Sequence, residues 1–101
     1  MKEIIEAAWT DRSLLKQSAT QDAILEVIEA LDKGTLRVAE PVGDTWQVNE
    51  WVKKAVILYF PIRSMETFRA GPMEFHDKIP LKKNFKELGV RVVPHGLARY
   101  G

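Results

Sequence analysis

The stretch from Ser18 to Lys33 restricts the fold of this chain more than any other. Apolar side chains recur at Ile24, Val27, Ile28 and Leu31, with Asp22, Glu26 and Glu29 between them. A spacing of three and four lines one side of an α-helix and does not fit a strand, whose faces alternate every second residue. Lys33 and Gly34 form a natural stop, because a cation suits the carbonyl end and glycine takes a left-handed cap. At the other end, Ser18-x-x-Gln21 predicts a capping box. A helix with one apolar stripe must be covered, so the rest of the chain has to supply the opposing layer.

The flanking segments offer that layer. Residues 2–11 read as a short helix, pairing Ile4 with Ala8 and Ile5 with Trp9 at helical spacing. Asp11 to Ala19 reads as a polar connection. Leu36 to Glu40 and Thr45 to Val48 alternate around Pro41-Val42-Gly43-Asp44, which predicts a β-hairpin. Residues 50–60 fit a helix capped by Asn49, although Val56-Ile57-Leu58-Tyr59-Phe60 also suits a buried strand. Lys53-Lys54 and the cap favour the helix, and Pro61 ends the element either way. Residues 62–83 look irregular, with turns at Gly71-Pro72 and Ile79-Pro80 and a short strand at Met65 to Phe68. Asn84 to Leu88 predicts a last short helix closed by Gly89, and Val90 to Val93 a strand. The fold class is α+β, and the three tryptophans, Trp9, Trp46 and Trp51, fall at core-like positions.

Composition narrows the chemistry. With 101 residues, 46% hydrophobic and 29% charged, the chain suits one small domain. It has no cysteine, which excludes disulfides and thiolate ligands and suits a reducing cytoplasm. No apolar run is long enough to span a bilayer, and glutamates interrupt the start where a signal peptide would be apolar. The net charge of +1 hides an asymmetry. Residues 1–50 carry five Lys/Arg against ten Asp/Glu, and residues 51–101 carry ten against four. Either the two halves attract each other or the basic half meets an anionic partner.

Few residues form a chemical constellation. His76 and His95 lie in separate segments with no ligand spacing between them, so no metal site is expected. No phosphate loop, dinucleotide fingerprint or nucleophile elbow occurs. Lys82, Lys83 and Lys86 around Phe85 resemble a single-strand nucleic-acid surface, but the nearly neutral charge speaks against one. Arg91 is the best candidate. It stands alone in Gly89-Val90-Arg91-Val92-Val93-Pro94, where a guanidinium either faces solvent or holds an anion, and its planar fork suits a carboxylate.

Five stretches in order resemble a single family. They are Ile4-Ile5-Glu6-Ala7-Ala8-Trp9, Leu31 to Glu40, Asn49 to Leu58, Asp77-Lys78-Ile79-Pro80 and Gly89 to Pro94. Together they resemble tetrahydrodipicolinate N-succinyltransferase of the diaminopimelate route to lysine. Arg63 to Phe75, His95 and Gly96 depart from the family pattern. The resemblance implies a small helical α+β N-terminal domain over 1–88, with 89–101 a strand leading into a left-handed parallel β-helix absent from this chain. It implies a cytoplasmic homotrimer that transfers succinyl from succinyl-CoA to the amine of ring-opened tetrahydrodipicolinate. The base and the coenzyme groove of that family lie in the β-helix. No catalytic residue, bound cofactor, nucleic acid or membrane contact is therefore expected here, and the 101 residues alone should be inactive. Arg91 maps onto the arginine that contacts the dicarboxylate substrate. The chain is expected to continue past Gly101, leaving apolar surface exposed near Val92, Val93 and Leu97 that would drive weak self-association. The alternative is a free-standing basic module that binds an acidic protein or nucleic acid.

Overall fold

Three helices enclose the core in the computed structural model, which describes all 101 residues. They are α1 (Lys2–Thr10), α2 (Ser18–Lys33) and α3 (Glu50–Tyr59). Ile5 and Ala8 of α1 meet Ala23, Ile24, Val27 and Ile28 of α2 and Val52, Ala55, Leu58 and Tyr59 of α3. Ile79 is the one core residue from outside the three helices. The α2 stripe is buried as its spacing requires, and Leu31 packs at its edge. The ambiguous 50–60 segment is helical because Val52, Ala55, Leu58 and Tyr59 share one buried side.

Local chemistry differs from expectation at two caps. Ser18 is the first residue of α2 rather than its cap, and no side-chain cap forms there. Gln21 instead donates its amide to the Leu15 carbonyl at 2.8 Å, tying α2 to the preceding turn. That turn, Arg12–Lys16, is a 3₁₀ helix capped by Asp11, whose carboxylate accepts from Ser13 N. Asn49 stands at the start of α3 but caps nothing. Its amide donates to the Arg37 carbonyl at 2.8 Å and its oxygen accepts from Gln47, so it anchors the hairpin base. Gly34 ends α2 at φ +76°, as its position foretold.

Two antiparallel hairpins extend from the helices. The first pairs β1 (Ala39–Val42) with β2 (Thr45–Val48) around Gly43-Asp44. The paired region therefore begins later than the alternation from Leu36 implies. Pro41 lies within β1 because an edge strand tolerates a residue without an N–H. The second hairpin pairs β3 (Glu66–Ala70) with β4 (Met73–Asp77) around Gly71-Pro72, so residues 62–83 are not irregular throughout. The short helix α4 (Phe85–Leu88) follows and ends at Gly89, φ +70°. Val90 to Val93 forms no strand. A strand needs a neighbour to accept its ladder, and residues 90–93 pair with neither of the two-stranded sheets. Residues 98–101 return to the helical body, where Leu81 and Arg99 form an isolated bridge.

Candidate functional site

Arg91 sits between two tight reversals. Gly89 caps α4 in the left-handed region, and Val90 N donates back to the Phe85 carbonyl at 2.8 Å. Beyond it, Gly96 N donates to the Val93 carbonyl at 2.7 Å, closing a turn over Pro94 and His95. His95 carries φ +77° there, a region that favours glycine. A side chain on Gly96 would strike the Val93 carbonyl oxygen at 2.7 Å, so only glycine fits. The stretch between these reversals is exposed. Arg91 belongs to none of the chain's ion pairs. Val93 at 70% and Leu97 at 65% are the most exposed apolar residues around it.

The chain end is held by a second polar cluster that the sequence did not single out. The Asp32 carboxylate accepts from Gly101 N at 3.0 Å and pairs with Lys82 Nζ at 3.0 Å. Lys82 N donates to the Ala98 carbonyl and Tyr100 N to the Pro80 carbonyl. Nearby, Arg99 brings Nε and Nη2 to Asp77 Oδ2 at 3.0 and 2.8 Å and lies over the Phe60 ring. Partial burial pushes Asp32 up, yet the Gly101 N–H and the Lys82 ammonium outweigh it and leave the group below the usual carboxylate range. The Lys78 N–H, aided by Arg99, holds Asp77 low as well. Burial, with the Asp32 and Glu29 charges, pushes the Tyr100 phenol up. These contacts orient residues 98–101. In the sequence the only trace is two Asp-Lys dipeptides, Asp32-Lys33 and Asp77-Lys78, each with a cation far along the chain.

The other sequence candidates fall apart in space or into structural roles. His76 Nδ1 lies 2.7 Å from Thr67 Oγ1 across the second hairpin, a cross-strand pair. No group of three or more His, Asp or Glu side chains is placed to hold a metal ion. Lys82 is spent on Asp32, so the Lys82-Lys83-Lys86 cluster presents one cation fewer than its sequence implies. Trp9 and Trp51 pack at the core margin as expected. Trp9 also lies between two cations, Arg12 at 4.9 Å and Lys54 at 5.7 Å from its ring, and Lys54 in turn pairs with Glu6 at 2.8 Å. Trp46 departs from its expected core position and is 69% exposed, because the first hairpin projects beyond the helices.

The chain is an α+β body with a three-helix core, and the exposed guanidiniums of Arg37 and Arg91 belong to none of its ion pairs. Comparison with known proteins gives the family. The family model described as tetrahydrodipicolinate N-succinyltransferase N-terminal matches residues 1–62. The chain belongs to that family. Curated relatives match from end to end. The 2,3,4,5-tetrahydropyridine-2,6-dicarboxylate N-succinyltransferase of Aeromonas salmonicida is 42% identical, covering 100% of this chain and 40% of the relative. The proteins of the same name from Variovorax paradoxus and Azoarcus sp. are 43% and 42% identical, again over 100% of this chain. The chain thus spans about 40% of the length of the relatives it matches. No helix is long and apolar enough to cross a membrane.

Proposed function

We propose that this chain serves as the N-terminal part of a succinyl-CoA-dependent N-acyltransferase acting on 2,3,4,5-tetrahydropyridine-2,6-dicarboxylate, in the diaminopimelate route to lysine. One observation carries the reading: relatives of that name match the whole chain at about 42% identity. Acyl transfer to an amine needs a base to take the nitrogen's proton and donors to steady the oxyanion formed at the thioester carbonyl. In this reading both come from the remainder of the protein. The domain's part is to hold the acceptor, with Arg91 engaging one carboxylate through its two parallel N–H donors. Its exposure and lack of an internal partner leave the guanidinium ready for that role.

In this reading residues 1–88 form the domain and 89–101 lead toward the remainder of a cytoplasmic homotrimer. The competing reading, a basic module for an acidic protein or nucleic acid, is weakened by the loss of Lys82 to Asp32. The test is a transfer assay on the longest native polypeptide containing this sequence. Free coenzyme A thiol should appear from succinyl-CoA only when the dicarboxylate acceptor is present. Thiol release indifferent to the acceptor, or none at all, would reject the assignment.

A further inference from the structure

At the base of the second hairpin, charges of opposite sign share a cavity and do not meet. The cavity, of about 290 Å³, is lined by Arg63, Glu66, Asp77, Lys78 and Lys83 together with the half-buried Phe68. Asp77 is taken by Arg99, whose Nη2 lies 2.8 Å away. Lys78 donates its Nζ to the Phe60 carbonyl at 3.2 Å. Arg63, Glu66 and Lys83 belong to no ion pair, whether with one another or with any other residue of the chain.

Arg63 is fixed before any ligand arrives. It is half-buried, its Nε donates to the Lys78 carbonyl at 3.0 Å, and its guanidinium carbon lies 5.9 Å from the centre of the Tyr59 ring. These contacts set the guanidinium plane and leave both terminal nitrogens without a partner in the chain. A fork held in this way suits a carboxylate. Glu66 has the opposite need. It stands directly across the ladder from Asp77, and like charges so placed repel. Arg99 neutralises Asp77, while no cation of the chain reaches Glu66. One ligand meets both needs if it carries a carboxylate and an ammonium. The remaining charge defines its side chain: Arg63, Lys78 and Lys83 outnumber Glu66 and Asp77, so the ligand should be a net anion. We propose that this cavity binds an acidic α-amino acid. Its α-carboxylate lies on Arg63, its ammonium at Glu66 and its second carboxylate toward Lys78 and the exposed Lys83, with Phe68 against its methylenes. The site is independent of the acyltransferase reading and of Arg91, which does not line the cavity.

Calorimetric titration of the native polypeptide containing this sequence tests this with three probes. They are L-glutamate, glutarate, which lacks the ammonium, and L-glutamine, which lacks the second carboxylate. L-Glutamate should bind with a Kd of about 1 mM or tighter, and each analogue at least about tenfold more weakly. Arg63→Gln should weaken L-glutamate at least about tenfold. Glu66→Gln should lower L-glutamate to the level of glutarate while glutarate itself gains, a reversal that lost folding would not produce. Arg91→Ala should leave L-glutamate binding unchanged. Far-ultraviolet dichroism checks that the helices persist, and Arg63→Lys, whose ammonium cannot make the paired bonds, replaces Arg63→Gln if they do not. The proposal is overturned if L-glutamate shows no saturable binding up to about 10 mM, tenfold above the expected value. It is overturned equally if glutarate binds as tightly as L-glutamate, which denotes a plain dianion site. Binding lost in Arg91→Ala but kept in the Arg63 variant would overturn it too, by placing the ligand at Arg91.

Discussion

The two hairpins have strands of similar length and two-residue turns, yet they resolve their side chains in opposite ways. In the second, Phe68 stacks on Phe75 at 5.3 Å, Arg69 pairs with Glu74 at 2.9 Å and Thr67 meets His76. These three central pairs are complementary, while at the two ends Glu66 faces Asp77 and Ala70 faces Met73. In the first, Pro41 faces Trp46 and Ala39 faces Val48, so one side is apolar and uncovered. The second hairpin satisfies its central side chains across the ladder, whereas the first leaves its apolar face uncovered. Trp46 and Val48 of the first hairpin therefore point away from the helical core and stay exposed.

The largest effect is expected at the helices that carry both hairpins. Leu58 is fully buried at their centre. Leu58→Ala should cost about 2–5 kcal/mol, and urea unfolding followed by dichroism should show one transition shifted as a whole. A change confined to one hairpin would mean that the two do not share the helical support. Next in size, Phe75→Ala should cost about 1–2 kcal/mol by removing a stacked, half-buried ring. Trp46→Ala in dilute, monomeric protein should stay within about 0.5 kcal/mol, because its ring covers nothing of its own chain. Equal losses at the two positions would erase the distinction.

A smaller effect lies at the chain end. Asp32 and Asp77 both titrate below their ordinary 3.8, so the ionised forms favour the docked arrangement of residues 98–101. A carboxylate depressed in the folded state contributes its full stabilisation above the unfolded value and loses it as pH falls through the folded one. Amide exchange at Gly101 and Tyr100 should thus be slow above about pH 4, after correction for intrinsic rates, and should accelerate only below 3.8. Asp32→Asn should shift that onset, whereas the paired amides of the second hairpin should not follow it. Smallest of all, His95→Gly should stabilise the chain by up to about 1 kcal/mol by relieving a left-handed histidine, read as a small rise in Tm.

What was legible in the sequence was whatever repeats at a fixed period. The α2 stripe and its Gly34 stop gave both the helix and its buried face. The 56–60 run stayed ambiguous until α1 and α2 supplied the surface that buries one side of it. The second hairpin was hidden because Glu66 to Ala70 and Met73 to Asp77 place charge on both faces, leaving no apolar alternation. Phe68 and Phe75, placed symmetrically about Gly71-Pro72, were the signal that could have found it. Val90 to Val93 reads as a strand by residue type, but residue type cannot provide the partner edge. Arg91 was legible as a solitary cation among valines. The clamp of Asp32, Lys82, Asp77 and Arg99 was not, because its pairs lie 50 and 22 residues apart. Trp46 was misplaced for a related reason: alternation predicts two faces but not which of them is covered.

In the proposed function this domain holds the acceptor through Arg91, and calorimetric titration of the dicarboxylate acceptor tests that role most directly. The titration should use the native polypeptide containing this sequence, alongside Arg91→Ala and Arg91→Lys. Arg91 is exposed and unpaired, so Arg91→Ala should leave stability within about 0.5 kcal/mol, and lost binding will not reflect lost folding. Arg91→Ala should weaken binding by about 1–3 kcal/mol, roughly 5- to 150-fold. Arg91→Lys should recover only part of it, because an ammonium cannot make the paired bonds. Acceptor affinity unchanged in Arg91→Ala would contradict the claim.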